Sequence, residues 1–71
     1  MTDQTRQELL AILSELSEYC PDVRLGQLLT NLATLAKGPE VEAIWDVEDT
    51  ELLAAARQQL KTFRARNSAT A

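Results

Sequence analysis

Three sets of side chains in this sequence belong to types that carry out acid-base, nucleophilic or metal chemistry. Glu15 and Glu18 lie three residues apart, where two carboxylates share one side of a helix, but such a pair is ordinarily solvated surface. Cys20 has no basic neighbour in the local sequence that would activate its thiol, so we interpret it as a small hydrophobic residue. The chain has no histidine, which removes Cys-His and Ser-His arrangements and the usual zinc sites.

The third set is a cluster of acids: Asp46, Glu48, Asp49 and Glu51. It lacks the regular ligand spacing and the central glycine of a calcium loop. Acids at the start of a helix and bases at its end both complement the helix dipole, and four bases do follow: Arg57, Lys61, Arg64 and Arg66. We therefore read the cluster as the start of a helix. We expect no enzyme activity, no cofactor and no metal ion.

The bases Arg57, Lys61 and Arg64 recur at steps of four and three, which places them on one helix face, here called the basic face. Nucleic-acid binding through this face is an alternative function. Three bases without interleaved aromatic residues are a weak signal for it. The net charge of −4 also opposes binding to a phosphate backbone, so we expect the face to be solvated.

Residues 21–37 carry the clearest helical pattern. Pro21 disfavours a helical Cys20 and so ends any preceding helix, while Asp22 is suited to capping a new one. Gly38 and Pro39 then favour a stop. The period of 3.6 residues predicts that one face is buried, comprising Leu25, Leu28, Leu29, Leu32, Leu35 and Ala36.

One side of this helix carries Arg24, Gln27 and Asn31, here called the polar flank. The favoured interpretation is structural, with Arg24 paired to an acid elsewhere and the two amides bonded to a loop. The alternative is that the flank receives a partner protein. Gly26 costs helix stability, which predicts that another element packs closely over it.

Similar stripes predict helices near 4–19 and 49–65. The first stripe comprises Leu9, Ile12, Leu13, Leu16, Tyr19 and Cys20, and the second comprises Leu52, Leu53, Ala56, Leu60 and Phe63. We expect frayed ends at 1–3 and 67–71. Between the second and third helices, residues 38–47 mix apolar and acidic residues without a clean period. The predicted fold is therefore all-α, a single small domain of three helices over residues 1–71 with an irregular hydrophobic segment before the last. Trp45, the only tryptophan, is expected to fill a gap between helices; if exposed, it would instead anchor an interface.

With 71 residues and no disulfide framework the domain is expected to be only marginally stable, which keeps a homodimer open as an alternative. No basic segment followed by an apolar run begins the chain, and no stretch is apolar enough to span a bilayer. We expect a cytoplasmic protein that does not enter a membrane.

Two motifs resemble a group of small, uncharacterised bacterial proteins. Residues 21–31 match Pro-Asp-x-Arg-x-Gly-Gln-Leu followed by Asn, and residues 47–53 end in the second motif, Glu-Asp-x-Glu-Leu-Leu. The group has a second aromatic residue before that motif, where this chain has Asp46. The resemblance implies no activity, but it implies a pairing. We expect Arg24 to contact Asp46, Glu48 or Asp49, and Gln27 and Asn31 to hold the loop of Trp45.

The sequence thus favours a small cytoplasmic interaction or regulatory module that binds another protein through the polar flank or Trp45. Nucleic-acid binding through the basic face remains the alternative, and steep weakening of binding by salt would favour it.

Overall fold

Four helices make up the described part of the chain in the computed structural model, which covers residues 3–70 along the backbone and the side chains of residues 4–66. They are α1 (Asp3–Tyr19), α2 (Leu25–Lys37), α3 (Ala43–Asp46) and α4 (Asp49–Thr70). The three long helices confirm the predicted all-α class. The segment predicted to be irregular contains the single turn α3, and α4 continues past the predicted end near residue 65.

Fraying of residues 1–3 and 67–71 stays a prediction, and residues 1, 2 and 71 lie outside the described part. None of the helices within residues 3–70 is both long enough and apolar enough to cross a bilayer.

The core forms where the leucine stripes of the three long helices meet. The stripes predicted for α1 and α4 are buried or half-buried as expected, but α2 is corrected in part. Leu25 and Leu35 are 58 % and 47 % exposed, because one begins the helix and the other lies at the edge of its buried face. The buried cluster consists of Leu9, Leu13, Leu16, Leu28, Leu32, Leu53, Ala56 and Leu60.

The turn between α1 and α2 explains why α2 begins at Leu25 rather than near residue 22. The amide of Val23 donates to the carbonyl of Cys20 at 3.1 Å, closing a turn in which Pro21 takes the position that its fixed φ favours. Val23 then packs against the core. The predicted cap at Asp22 is therefore wrong, and Arg24 occupies the N-cap position without a side-chain capping bond.

Ion pairs between helices fix their relative directions. Arg6 at the start of α1 meets Asp49 at the start of α4 at 2.8 Å, and Arg64 further along α4 meets Glu15 further along α1 at 2.7 Å. These two helices therefore run parallel. Lys37 at the end of α2 approaches Glu51 at the start of α4 at 3.5 Å, so α2 runs antiparallel to α4.

The start of α4 is capped by the side chain of Glu51, a residue in its first turn. The backbone amide of Glu48 donates to Oε1 of Glu51 at 3.0 Å, which satisfies an amide that the helix leaves unpaired. This hydrogen bond, together with nearby Lys37, holds the pKa of Glu51 below its ordinary value. The side chain of Glu51 thus helps to start α4, whereas Asp46, which the sequence placed at that start, lies at the end of α3.

The prediction that another element packs closely over Gly26 is wrong. A Cβ built on this glycine would meet no described atom within 4 Å, so no neighbouring element requires the missing side chain. Gly38, by contrast, has φ +116°, a conformation that other residues rarely adopt, and its amide donates to the carbonyl of Thr34 at 2.9 Å. Gly38 is needed for the helix end, whereas Gly26 is not needed for packing.

We therefore expect Gly26→Ala to raise the free energy of unfolding by about 0.5–1 kcal/mol, because alanine loses less backbone freedom on entering a helix. Urea denaturation, monitored by circular dichroism, measures the change in the free energy of unfolding. Gly38→Ala is the matched control and should destabilise the domain. A loss of stability in Gly26→Ala would show that a contact over Gly26 exists in solution.

Candidate functional site

Trp45 lies on the surface with 67 % of its area exposed, so the prediction that it fills a gap between helices is wrong. Its backbone amide donates to the carbonyl of Glu42 at 3.2 Å, within the single turn of α3. The turn is attached to the body of the domain by other residues: Ala43 is buried, Val47 is half-buried, and the Val47 amide donates to the Ala43 carbonyl at 3.0 Å.

Two further apolar side chains accompany Trp45. Val41 is 61 % exposed and Ile44 is 46 % exposed. The amide of Ala43 donates to the carbonyl of Glu40 at 3.0 Å and that of Ile44 to the carbonyl of Val41 at 3.3 Å, so the turned backbone begins at Glu40, before α3. Residues three and four apart in such a segment share a side of it. Val41, Ile44 and Trp45 are here called the Trp45 patch. The anchoring residues Ala43 and Val47 are also four apart, on the inward side.

Sequence reasoning missed Val41 and Ile44 as members of a surface. The signal was present, since residues 41, 44 and 45 have the spacing of one helix face and residues 43 and 47 that of another. The segment was too short and too mixed for a period to be assigned with the usual window.

Four carboxylates alternate with or follow the residues of the Trp45 patch along the chain. Glu40, Glu42, Asp46 and Glu48 are exposed, and in the part of the chain with described side chains none of them forms an ion pair. They are here called the acidic rim. The next two acids along the chain, by contrast, are paired, Asp49 with Arg6 and Glu51 with Lys37.

The predicted contact between Arg24 and the acidic start of α4 is wrong. Lys37, not Arg24, is the α2 residue beside that start, and the two lie at opposite ends of a helix that is about 20 Å long at 1.5 Å per residue. Arg24 is exposed and forms no ion pair with the described side chains. Asp49 is paired instead with Arg6.

The motif pairing also predicted that Gln27 and Asn31 contact the loop that carries Trp45, and this prediction is wrong. Both side chains are exposed, and neither forms a hydrogen bond with the side chains or backbone that the structure describes. The polar flank is therefore a solvated strip along α2, available to a partner. Its role in binding stays a prediction.

The basic face is largely engaged within the domain. Arg57 pairs with Glu8, and Arg64 donates two hydrogen bonds to Glu15, from Nε at 2.9 Å and from Nη2 at 2.8 Å. The Glu15 carboxylate raises the pKa of Arg64 above its ordinary value. Of this face, Lys61 is left without an ion pair among the described residues.

An open depression of about 530 Å³ lies between α1 and α4, lined by these pairs together with Ile12 and Leu60. Because glutamates line it as well as arginines, its charges largely cancel, which weakens it as a site for a phosphate backbone. Nucleic-acid binding through the basic face stays the untested alternative.

Cys20 is half-exposed at the end of α1 and carries a free thiol. Within the described residues no group of three or more His, Cys, Asp or Glu side chains is placed so that it could hold a metal ion. Neither observation adds a reactive centre to the Trp45 patch.

Comparison of the chain with protein-family models, with curated proteins and with solved structures gives no match.

Proposed function

We propose that this chain is a small interaction module that binds another protein through the Trp45 patch. The observation that carries the proposal is the exposure of the only tryptophan together with Val41 and Ile44 on the short turned segment formed by residues 40–46. Scattered exposed apolar residues are normal, but three large ones on one short segment form a patch of the kind used at interfaces.

The energetics of the segment favour binding. Burying a large apolar side chain is worth about 1.5–3 kcal/mol, and this fold leaves that contribution unused at Trp45. Tryptophan is among the residues that most often dominate interface energies. Anchoring by Ala43 and Val47 orders the turn before binding, so less conformational entropy is lost when a partner docks.

In this proposal the module works by binding rather than by catalysis, and it does so in the cytoplasm. The resemblance of residues 21–31 and 47–53 implies a bacterial protein. A regulatory role would follow if the partner's activity changed when the Trp45 patch docks. The polar flank could extend the surface along α2.

The test uses the full chain as bait in quantitative affinity capture with isotope-labelled cell extracts. We expect Trp45→Ala to lose specific partners at least tenfold, while changing the free energy of unfolding by no more than about 0.5 kcal/mol, because the side chain is exposed. Denaturation of the purified variants checks the stability.

Leu10→Ala is the matched control, since Leu10 is an exposed apolar residue on α1 rather than on the α3 turn. A second variant, Gln27→Ala with Asn31→Ala, tests whether the polar flank takes part. Identical partners for the wild type and Trp45→Ala would overturn the proposal. Light scattering across protein concentration detects a homodimer, and self-association that Trp45→Ala abolishes would make the partner a second copy.

A further inference from the structure

The acidic rim gives the Trp45 patch a definite electrostatic character. Residues 38–56 contain six acids and no base. Two of the six, Asp49 and Glu51, are paired with Arg6 and Lys37, which leaves the four carboxylates of the rim. Unpaired charges of one sign around an apolar surface attract a partner of the opposite sign and repel one of the same sign.

Three of these carboxylates share a single depression. Glu40, Glu42 and Asp46 line an open hollow of about 260 Å³ beside Ala43 and Lys37. The ammonium group of Lys37, which also lines this hollow, lies 3.5 Å from the carboxylate of Glu51. With three acids and one base in its lining, the hollow has a net negative charge, and its volume has room for the head of a lysine or arginine side chain.

We propose, building on the function proposed above, that the Trp45 patch binds a basic amphipathic segment of its partner, in which lysines or arginines alternate with apolar residues at helical spacing. The apolar side chains pack on Val41, Ile44 and Trp45. The basic side chains pair with the acidic rim, and one of them enters the hollow. A cation over the indole ring adds attraction that an acidic segment would lack.

The charge distribution disfavours the other occupants. An anionic membrane surface or a nucleic acid would be repelled by the rim. A second copy carries the same net charge of −4, and two of its bases, Arg57 and Arg64, are already paired with Glu8 and Glu15. A foreign basic segment meets neither obstacle.

Because Trp45 is the only tryptophan, its fluorescence reports directly on this site. The full chain is titrated with three synthetic peptides of equal length. The first carries lysine and leucine at helical spacing, the second has glutamate in place of each lysine, and the third has serine in place of each leucine. We expect the lysine-leucine peptide to shift the emission to shorter wavelength and to bind at least tenfold more tightly than either of the others.

The rim variant is Glu42→Gln with Asp46→Asn, which should weaken binding of the lysine-leucine peptide about three- to tenfold, since each exposed pair contributes little. The matched control, Glu18→Gln with Asp22→Asn, removes the same charge at exposed acids elsewhere and should leave binding unchanged. Raising the salt concentration from 50 to 500 mM should weaken the lysine-leucine complex about tenfold by screening.

Three outcomes overturn the inference. Equal binding of the lysine-leucine and glutamate-leucine peptides would reject a basic partner while leaving apolar docking at Trp45 in place. If the rim variant and its control weaken peptide binding equally, the peptide responds to the net charge of the domain and not to the acidic rim. Absence of any emission shift with all three peptides would also overturn it, and the capture experiment with Trp45→Ala would then decide the proposed function separately.

Discussion

Replacing Leu16 by alanine is expected to lower the free energy of unfolding by about 2–5 kcal/mol. Leu16 has no exposed area and lies in the cluster that joins α1, α2 and α4. The substitution removes the transfer free energy of the lost carbons and leaves a cavity. A domain of this length has a total stability of about 4–10 kcal/mol, so the loss is a large share of it.

The free energy of unfolding is measured by urea denaturation, monitored through the circular dichroism signal of the helices. Leu10→Ala is the matched control, because it makes the same chemical change on the same helix at a side chain that is 57 % exposed. We expect the control to change stability by no more than about 0.5 kcal/mol. Equal losses in the two variants would mean that α1 buries a different face in solution.

The core could be predicted from the sequence because helical periodicity directly indicates a buried face. Leu9, Leu13 and Leu16 recur at intervals of four and three, and all three are buried. Periodicity carries less information at the first residue of a helix and at the edges of its buried face. Leu25 and Leu35 therefore fit the α2 stripe and are nevertheless exposed.

The start of α2 shows how two local signals competed. Asp22 is a good capping residue, and a cap there predicted a helix from residue 22. Pro21 is equally suited to the second position of a turn, and that turn forms because it lets Val23 pack on the core. Tertiary packing decided between two conformations that the local sequence allowed.

The candidate site was predicted only in part, since Trp45 was named but its neighbours were not. Two motifs that occur in the same sequences indicate which residues accompany one another, but they do not indicate whether the helices that carry them pack parallel or antiparallel. Arg24 and the acids of α4 occur in paired motifs, yet antiparallel packing sets them at opposite ends of α2. The exposure of Trp45 depends on Ala43 and Val47 turning inward, which a segment of one helical turn does not reveal in advance.

Enlarging Ala56 is expected to produce the other large loss of stability. Ala56 has no exposed area and packs in the same cluster as Leu16 and Leu32. Helices pack about 8–10 Å apart depending on the side chains between them, so a small residue at this position sets the spacing of α4 from its neighbours. Ala56→Leu should cost about 1–3 kcal/mol or more, because the added carbons force strained rotamers or shift the helices.

Ala54→Leu is the control, because Ala54 is exposed on the same helix and lies beside Leu35 in an open depression where a larger side chain has room. Leucine and alanine differ little in helix propensity, so the comparison isolates packing. Thermal and urea denaturation measure both variants. Equal stability of Ala56→Leu and the wild type would show that the three helices do not close around Ala56.

The same variant separates the stability of the bundle from binding at its surface. The segment that carries the Trp45 patch follows α2 and precedes α4 in the chain, and α3 packs against α2. A change in the distance between α2 and α4 would therefore move this segment. We expect Ala56→Leu to reduce the Trp45 emission response to the lysine-leucine peptide, and Ala54→Leu to leave the response intact. If Ala56→Leu destabilises the domain and the folded fraction still responds as the wild type does, the single turn of α3 presents the patch independently of the helix spacing.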